Sequence, residues 1–201
     1  TLLDAITDFT FSPSDIEFLR QQKIFEPGFL EYLKTFRFRG DVYAFREGSV
    51  IFPQEPIVRI HAKLIEAQIV EALVLNHINF QSLIATKTAR IWLASKKGSI
   101  MEFGLRRAQG PDGGMSATRA SFIGGAAGTS NTLAGKLYDI PVMGTMAHSW
   151  IMAFPSELEA FEAYAKLYPQ KAIFLIDTYD TLRSGIKNAI KAGAKLVEKG
   201  Y

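Results

Sequence analysis

From about residue 100 onward, apolar runs typical of buried strands alternate with segments of helical period. We predict strands at residues 100–105, 140–145 and 171–180, and helices from 116, from 132, at 154–167 and at 181–199. Polar residues follow the apolar runs, and the carboxyl ends of the strands are where β/α barrels form their active sites. Only about four β/α units fit here, whereas a closed barrel needs eight. The sequence therefore predicts an α/β fold that contains about half of an irregular, TIM-like β/α barrel.

The first 98 residues show a different pattern. Short helical segments occupy residues 1–35, with Ser12 as an N-cap, and the period then changes to two. We predict strands at 38–48, 50–53 and 57–62, and then a helical pattern over 64–97 that Asn76 and His77 interrupt. We interpret His61 and His77 as structural. The predicted domains are an α/β sandwich-like region at 1–98 and the partial barrel at 99–201.

Composition and charge restrict the class of protein and of partner. Hydrophobic residues make up 48% of the chain and charged residues 21%, which is ordinary for a globular protein. The net charge of +3 is dispersed, and no apolar run could span a membrane, so we expect neither a nucleic-acid nor a membrane partner. Without cysteine or a signal peptide, a cytoplasmic location is expected. The chain opens at Thr1 within a helical pattern and stops at Tyr201 just after one, so we expect an internal segment of a longer polypeptide.

Two kinds of anion-binding feature lie close together after residue 100. Arg106 and Arg107 follow a predicted strand, and guanidinium groups match carboxylate and phosphate oxygens. Glycine clusters at 110–114 and 124–131 each precede a predicted helix, whose first N–H groups favour anions. Singly, each cluster is also consistent with a surface turn, and the arginines with salt bridges at a barrel rim. Their combination favours an anion site.

His148 is the strongest candidate for a catalytic residue. It follows an apolar strand pattern and opens a predicted helix, and imidazole is a nucleophile near neutral pH. The alternative is a histidine that only hydrogen-bonds a substrate phosphate. Asp177 and Asp180 follow the next predicted strand, and we interpret Asp177 as functional and Asp180 as the cap of the following helix.

The segments EFGLRRAQGPDGG, GGAAGTSN, IPVMGTMAHSW and LIDTYDT resemble those of the nicotinate phosphoribosyltransferases, in the type II phosphoribosyltransferase family. The resemblance runs from about Phe38 to the end of the chain. It implies an irregular barrel with an added α/β domain. It also implies that nicotinate and phosphoribosyl pyrophosphate form nicotinate mononucleotide and pyrophosphate, with coupled ATP hydrolysis, in NAD salvage. The family often pairs protomers to complete its sites, so a homodimer is expected.

The resemblance also implies roles for particular residues. His148 would be the phosphohistidine through which ATP, as co-substrate, drives the reaction. Arg106 and Arg107 would bind the nicotinate carboxylate or the ribose 5-phosphate. Asp177 would bind the ribose hydroxyls or Mg²⁺, which prefers carboxylate oxygens. Thr145 and Ser130 would line the base pocket. Gly128 and Thr129 would contact phosphate.

Two alternatives stay open at this point. One is nicotinamide phosphoribosyltransferase, a close relative that resemblance suggests has an aspartate at the position of Ser130. That carboxylate can accept a hydrogen bond from an amide but repels nicotinate, so Ser130 favours the acid. The other alternative is a catalytically inert fragment or scaffold.

Overall fold

A computed structural model describes residues 1–201, and its regular elements are nine α-helices and four short strands. The fold is therefore mixed α/β, as predicted. The chain divides into two compact units, Thr1–Pro141 and Val142–Tyr201. None of the helices combines the length and the apolar character that a membrane crossing requires.

The first unit opens with three short helices, α1 (Leu2–Thr7), α2 (Pro13–Gln21) and α3 (Pro27–Lys34). Helix α2 begins at a capping box, in which the Ser12 side chain accepts from the Asp15 N–H and the Asp15 carboxylate accepts from the Ser12 N–H. The predicted N-cap is thus confirmed. Leu30 and Leu33 of α3 are buried and pack with Ile16 of α2 in a small core of their own.

An antiparallel strand pair follows, formed by β1 (Asp41–Ala44) and β2 (Val58–His61). The strand predicted at 50–53 is wrong. Residues 45–57 form the loop between β1 and β2, and this loop contains two prolines, which cannot donate to a ladder. Helix α4 (Leu64–Ala94) is continuous through Asn76 and His77, and its buried Val70 and Val74 pack against Ile6 and the strand pair.

The rest of the first unit is a β/α/β arrangement. Strand β3 (Met101–Glu102) pairs in parallel with β4 (Gly128–Thr129). A 3₁₀ turn at Leu105–Arg107 and helix α5 (Gly110–Ile123) lie between the two strands in sequence, and helix α6 (Thr132–Tyr138) follows β4. The prediction that α5 begins at Ser116 is wrong, because the helix begins at Gly110. Pro111 occupies its first turn, where a missing N–H costs nothing.

The second unit contains α7 (His148–Met152), α8 (Glu157–Leu167) and α9 (Ile186–Glu198), which is preceded by a π-helical turn at Thr181–Gly185. Its core is built around Ile151 and Phe161, both fully buried. The helix predicted at 181–199 is confirmed, with the difference that its first turn is π-helical.

The strands predicted at 140–145 and 171–180 are wrong, since neither segment forms a β-strand. The segment 140–145 is limited to an isolated bridge at Val142, and no bridge forms within 171–180, so neither segment has the continuous ladder that a strand requires. The apolar run of the second segment has another use, because Phe174, Leu175 and Ile176 pack on the core around Phe161.

The compact units meet at Pro141, whereas the predicted domains meet between residues 98 and 99. The difference arises because α4 packs along α5 and joins residues 64–94 to residues 110–123. As a division of the sequence into domains, the boundary after residue 98 stays a prediction.

Candidate active site

The predicted site residues fall into two groups, one in each unit. The first unit holds Arg106, Arg107, Gly128, Thr129 and Ser130. The second holds Thr145, His148 and Asp177. Each group is built by a different set of elements.

Arg106 and Arg107 form the end of the 3₁₀ turn that follows β3, and both are exposed. Among the ion pairs of the chain, none involves either guanidinium, so the alternative of a salt-bridge role has no partner within residues 1–201. Helix α5 begins three residues after Arg107, and its N-cap residue Gln109 makes no capping hydrogen bond with its side chain. Two cationic groups therefore stand beside an uncapped helix start, a combination that suits an anion.

The two glycine clusters have structural reasons of their own. Gly110 and Gly125 adopt positive φ angles of 76° and 106°, which glycine accepts without strain. A Cβ on Gly124 would lie 2.5 Å from the Ala85 carbonyl oxygen of α4, and one on Gly114 would lie 2.7 Å from Leu105. Close packing and backbone conformation therefore explain these four glycines without any ligand.

Thr129 is fully buried, and its polar groups are already bonded within the protein. Its hydroxyl donates to Glu102 Oε2 at 2.6 Å, and its N–H donates to the Pro141 carbonyl at 3.0 Å. A contact between Thr129 and phosphate would require one of these bonds to break, and the phosphate roles of Thr129 and Gly128 stay predictions. Ser130 is half-buried, directly after β4, and its N–H donates to the Glu102 carbonyl at 3.0 Å.

In the second unit, His148 and Asp177 are hydrogen-bonded to each other. His148 is the first residue of α7, as predicted, and its Nε2 lies 3.0 Å from Asp177 Oδ1. Both side chains are well exposed, 44% and 59% respectively, so they are open to a ligand. Two residues that are 29 positions apart and were predicted as functional separately thus form one pair. Thr145 is close in sequence, and its hydroxyl donates to the Met146 carbonyl at 3.1 Å.

The π-helical turn fixes the segment that contains Asp177. Asp180 caps this turn, since its Oδ1 accepts from the N–H groups of Leu182 at 3.1 Å and Arg183 at 2.8 Å. The predicted capping role of Asp180 is thereby confirmed. At the other end of the turn, Gly185 packs directly on the backbone, and a Cβ there would lie 1.9 Å from the Ile176 carbonyl oxygen. That carbonyl belongs to the peptide group that joins Ile176 to Asp177.

Sequence reasoning missed two residues that shape these groups, Glu102 and Gly185. The sequence predicts a strand around Glu102 without a role for its side chain, although a carboxylate in an apolar strand indicates a need for hydrogen-bond partners. Gly185 stands alone in a helical pattern, and nothing in the sequence distinguishes it from Gly193 of α9.

Two family models match the chain. The nicotinate phosphoribosyltransferase (NAPRTase) N-terminal domain matches residues 1–79, and the nicotinate phosphoribosyltransferase (NAPRTase) family matches residues 99–191. Together they leave only residues 80–98 and 192–201 unmatched.

Individual proteins give the same result. A nicotinate phosphoribosyltransferase of Mycobacterium tuberculosis is 47% identical over 97% of this chain and 42% of its own length. One of Bacillus subtilis is 42% identical over 98% of this chain and 40% of its own length. This chain therefore spans less than half the length of these relatives.

Solved structures agree on the fold. Human nicotinic acid phosphoribosyltransferase superposes with a TM-score of 0.86 at 31% identity, over 99% of this chain and 50% of the human chain. Nicotinate-nucleotide pyrophosphorylase from Pyrococcus furiosus superposes with a TM-score of 0.67 at 24% identity, over 82% of this chain and 49% of its own, a likeness of fold alone. Since both family models, the curated relatives and the human structure coincide, this chain belongs to the nicotinate phosphoribosyltransferase family.

Proposed function

We propose that the full-length protein is a nicotinate phosphoribosyltransferase that couples its reaction to ATP hydrolysis through phosphorylation of His148. The pyridine nitrogen of nicotinate attacks the anomeric carbon of phosphoribosyl pyrophosphate, and the bond to pyrophosphate breaks. The products are nicotinate mononucleotide and pyrophosphate. The observation that carries the proposal is the His148–Asp177 hydrogen bond of 3.0 Å, at the start of α7 in a chain of this family.

The pair supports phosphoryl transfer through the tautomer that it favours. An ionised carboxylate can only accept a hydrogen bond, so the proton of a neutral His148 lies on Nε2, beside Asp177. The lone pair is then on Nδ1, which is the nucleophile in this arrangement. Nδ1 attacks the terminal phosphorus of ATP, the bond to the ADP oxygen breaks, and Asp177 stabilises the positive charge that develops on the ring. Water later hydrolyses the phosphohistidine.

Anion binding is assigned to the first unit. Arg106 and Arg107, which have no carboxylate partner within the chain, bind the nicotinate carboxylate or the ribose 5-phosphate. A phosphate contact of Gly128 and Thr129 stays a prediction, because the Thr129 hydroxyl and N–H are bonded within the protein. The arginine contacts orient the substrates and neutralise their charge.

Recognition of the base is assigned to Ser130 of the first unit, and a contact of Thr145 with the base stays a prediction. A serine hydroxyl is uncharged and can donate to the carboxylate of nicotinate, whereas an aspartate at the same position would repel it. Ser130 is half-buried directly after β4, so it is less enclosed than the fully buried Thr129.

Mg²⁺ is proposed to reach the site with the phosphorylated substrates. The chain contains no group of three side chains from His, Cys, Asp or Glu that could hold a metal ion alone. Asp177 nevertheless fits as a single protein ligand, because only Oδ1 is bonded to His148 and magnesium sites commonly use one or two carboxylates with substrate phosphates. When bound, the ion supplies charge neutralisation of the phosphates.

The finer architecture is part of the proposal. The parallel β3–β4 pair with α5 between its strands is one β/α/β unit, the repeat from which a β/α barrel is built. This supports a partial, irregular TIM-like barrel within residues 99–201. A homodimer and a cytoplasmic location stay predictions.

The proposed function is tested by phosphate labelling of the full-length protein with γ-labelled ATP. We expect acid-labile label on the wild type and none on His148→Asn, together with loss of ATP hydrolysis. Nicotinate mononucleotide synthesis should fall sharply at limiting phosphoribosyl pyrophosphate.

His61→Asn is the matched control, since it makes the same chemical change at an exposed histidine of the first unit. The control should label and turn over like the wild type. Acid-labile phosphate on the His148→Asn variant would contradict the assignment, and absence of nicotinate mononucleotide from the wild type would refute the proposed function itself.

A further inference from the structure

We infer that Glu102 is a positioning residue. It holds the 3₁₀ turn at Leu105–Arg107, the arginine turn, and residues 128–134, the Ser130 segment, in one fixed arrangement. This inference rests on the proposed function, because those two segments are the proposed anion- and base-binding parts of the first unit. Glu102 is the last residue of β3, and it contacts both segments through its side chain and its backbone.

The carboxylate of Glu102 accepts two hydrogen bonds of its own and shares a third donor, the Thr118 hydroxyl, with the Gly114 carbonyl, which lies 2.9 Å from that hydroxyl. Its Oε1 accepts from the Gly104 N–H, at the residue that precedes the 3₁₀ turn with Arg106 and Arg107. Its Oε2 accepts from the Thr129 hydroxyl at 2.6 Å and lies 3.0 Å from the Thr118 hydroxyl of α5. One side chain therefore connects the start of the arginine turn to β4 and α5.

The backbone of Glu102 adds a fourth connection. Glu102 is paired with Thr129 in the parallel β3–β4 ladder, and its carbonyl accepts from the Ser130 N–H at 3.0 Å. Glu102 therefore holds Ser130 through its backbone carbonyl and Gly104 through its carboxylate. A shift of Glu102 moves both segments together.

Burial makes this arrangement specific. Thr129 is 0% exposed, so its hydroxyl has no access to water when the carboxylate is removed, whereas the hydroxyl of the equally buried Thr118 keeps the Gly114 carbonyl as an acceptor. The network continues into α6, because Asn131 donates from its N–H to Thr129 Oγ1 at 2.9 Å and caps the helix by accepting from the Ala134 N–H. A buried donor without an acceptor is costly, and a fully satisfied network therefore favours one geometry.

Glu102→Gln is the most conservative test. Glutamine has nearly the shape of glutamate but only one acceptor oxygen. If that oxygen keeps the Gly104 N–H, its NH₂ group faces the Thr129 hydroxyl, whose proton then loses its acceptor. Gly104→Ala tests the same contact independently, because its Cβ would lie 2.9 Å from Glu102 Oε1 while the φ of −85° suits alanine.

Two measurements on the full-length protein are needed. The first is amide hydrogen exchange of residues 103–107 and 128–134 without substrate, where we expect about tenfold faster exchange in Glu102→Gln. The second is steady-state kinetics, where loss of a hydrogen bond to a charged group predicts kcat/KM for nicotinate about tenfold lower or more, chiefly through KM. Val70→Ala is the control for lost stability, since Val70 is fully buried in a different core cluster.

The outcomes separate positioning from stability. Faster exchange confined to the two segments, with raised KM in Glu102→Gln and Gly104→Ala but not in Val70→Ala, supports the inference. Unchanged exchange in both variants, or an equal rise of KM in Val70→Ala at the same loss of Tm, overturns it. If the wild type makes no nicotinate mononucleotide, the proposed function fails, while the exchange experiment still decides whether Glu102 fixes the two segments.

Discussion

Replacing Gly185 by alanine adds one methyl group at the point where the π-helical turn touches the segment of Asp177. The backbone of Gly185 has φ −53° and ψ −57°, which alanine adopts readily, so the substitution introduces no dihedral strain. Its effect comes from contact alone. The new Cβ would lie 1.9 Å from the Ile176 carbonyl oxygen and 2.8 Å from the carbonyl carbon, and the latter is bonded to the nitrogen of Asp177.

The size of the effect follows from these distances. Cβ contacts under 3.0 Å essentially never occur, so the turn and the Ile176–Asp177 peptide must separate by roughly 1 Å. Overpacking of this kind costs about 1–3 kcal/mol, and a Tm fall of roughly 2–6 °C is expected. A displacement of about 1 Å also exceeds what the 3.0 Å His148–Asp177 hydrogen bond tolerates. Misplacement by about 1 Å in a catalytic site can lower the rate by ~10²-fold.

Gly193→Ala is a matched control for this experiment. It is the same substitution a few residues along in α9, but a Cβ at Gly193 would meet nothing within 4 Å. Alanine is the better helix former by about 1 kcal/mol, so Gly193→Ala should keep or raise the Tm. Both variants of the full-length protein are compared by thermal unfolding and by the rate of acid-labile phosphate labelling from ATP.

The expected pattern is a lower Tm and slower labelling for Gly185→Ala, with neither change for Gly193→Ala. Equal Tm values for the two variants would show that the close contact does not constrain the protein. A destabilised Gly185→Ala variant that labels at the wild-type rate would show that the position of Asp177 does not matter for His148.

Two further predictions concern the first unit. Ser130→Asp should lose most of its nicotinate activity, because a like-charge contact in a partly desolvated pocket costs several kcal/mol. The measurement is kcat/KM for nicotinate and for nicotinamide in both proteins. If the variant keeps the wild-type kcat/KM for nicotinate, Ser130 does not line the base pocket. His77 is half-buried near Arg119 and Glu47, and burial, together with the positive charge of Arg119, lowers its pKa below 6.5. The unfolded chain therefore binds the proton first, and stability is lost as pH falls from about 6.5 toward the folded pKa. His77→Gln should flatten the fall of Tm between about pH 7 and 5.5, and equal slopes in the two proteins would contradict this assignment.

Features that depend on neighbouring residues could be predicted from the sequence. The capping box of α2 involves Ser12 and Asp15, three positions apart, and Asp180 caps the turn that starts at the next residue. His148 likewise opens α7 at the predicted position. In each case the interaction that decides the structure lies within one helical turn, so the local sequence contains the whole argument.

Features that depend on distant partners could not be predicted. Residues 140–145 and 171–180 have the apolar composition of strands, but a strand exists only where another strand pairs with it, and single-sequence periodicity does not reveal that partner. The start of α5 is a different kind of error. Pro111 is a known signal for a first helical turn, whereas the glycines around it favour a break, and the structure follows the proline.

The partners of Glu102 could not be predicted from the sequence for a related reason. Its acceptor oxygens bind donors that are 2, 16 and 27 positions away, on three different elements. Only the nearest of these, at Gly104, belongs to the same local segment. The pattern therefore predicted that Arg106 and Arg107 follow a strand, but not what holds them against the Ser130 segment.

The glycines show most clearly where inference from sequence ends. The two conspicuous clusters suggested phosphate binding, yet the structure explains Gly110, Gly114, Gly124 and Gly125 by backbone angle or by close packing. The isolated Gly185, which no motif marks, lies against the peptide that precedes Asp177. Clustering of glycine in a sequence reports how freely the backbone bends, whereas the importance of one glycine depends on which atom its missing side chain would meet. That atom comes from elsewhere in the fold, so its identity requires coordinates.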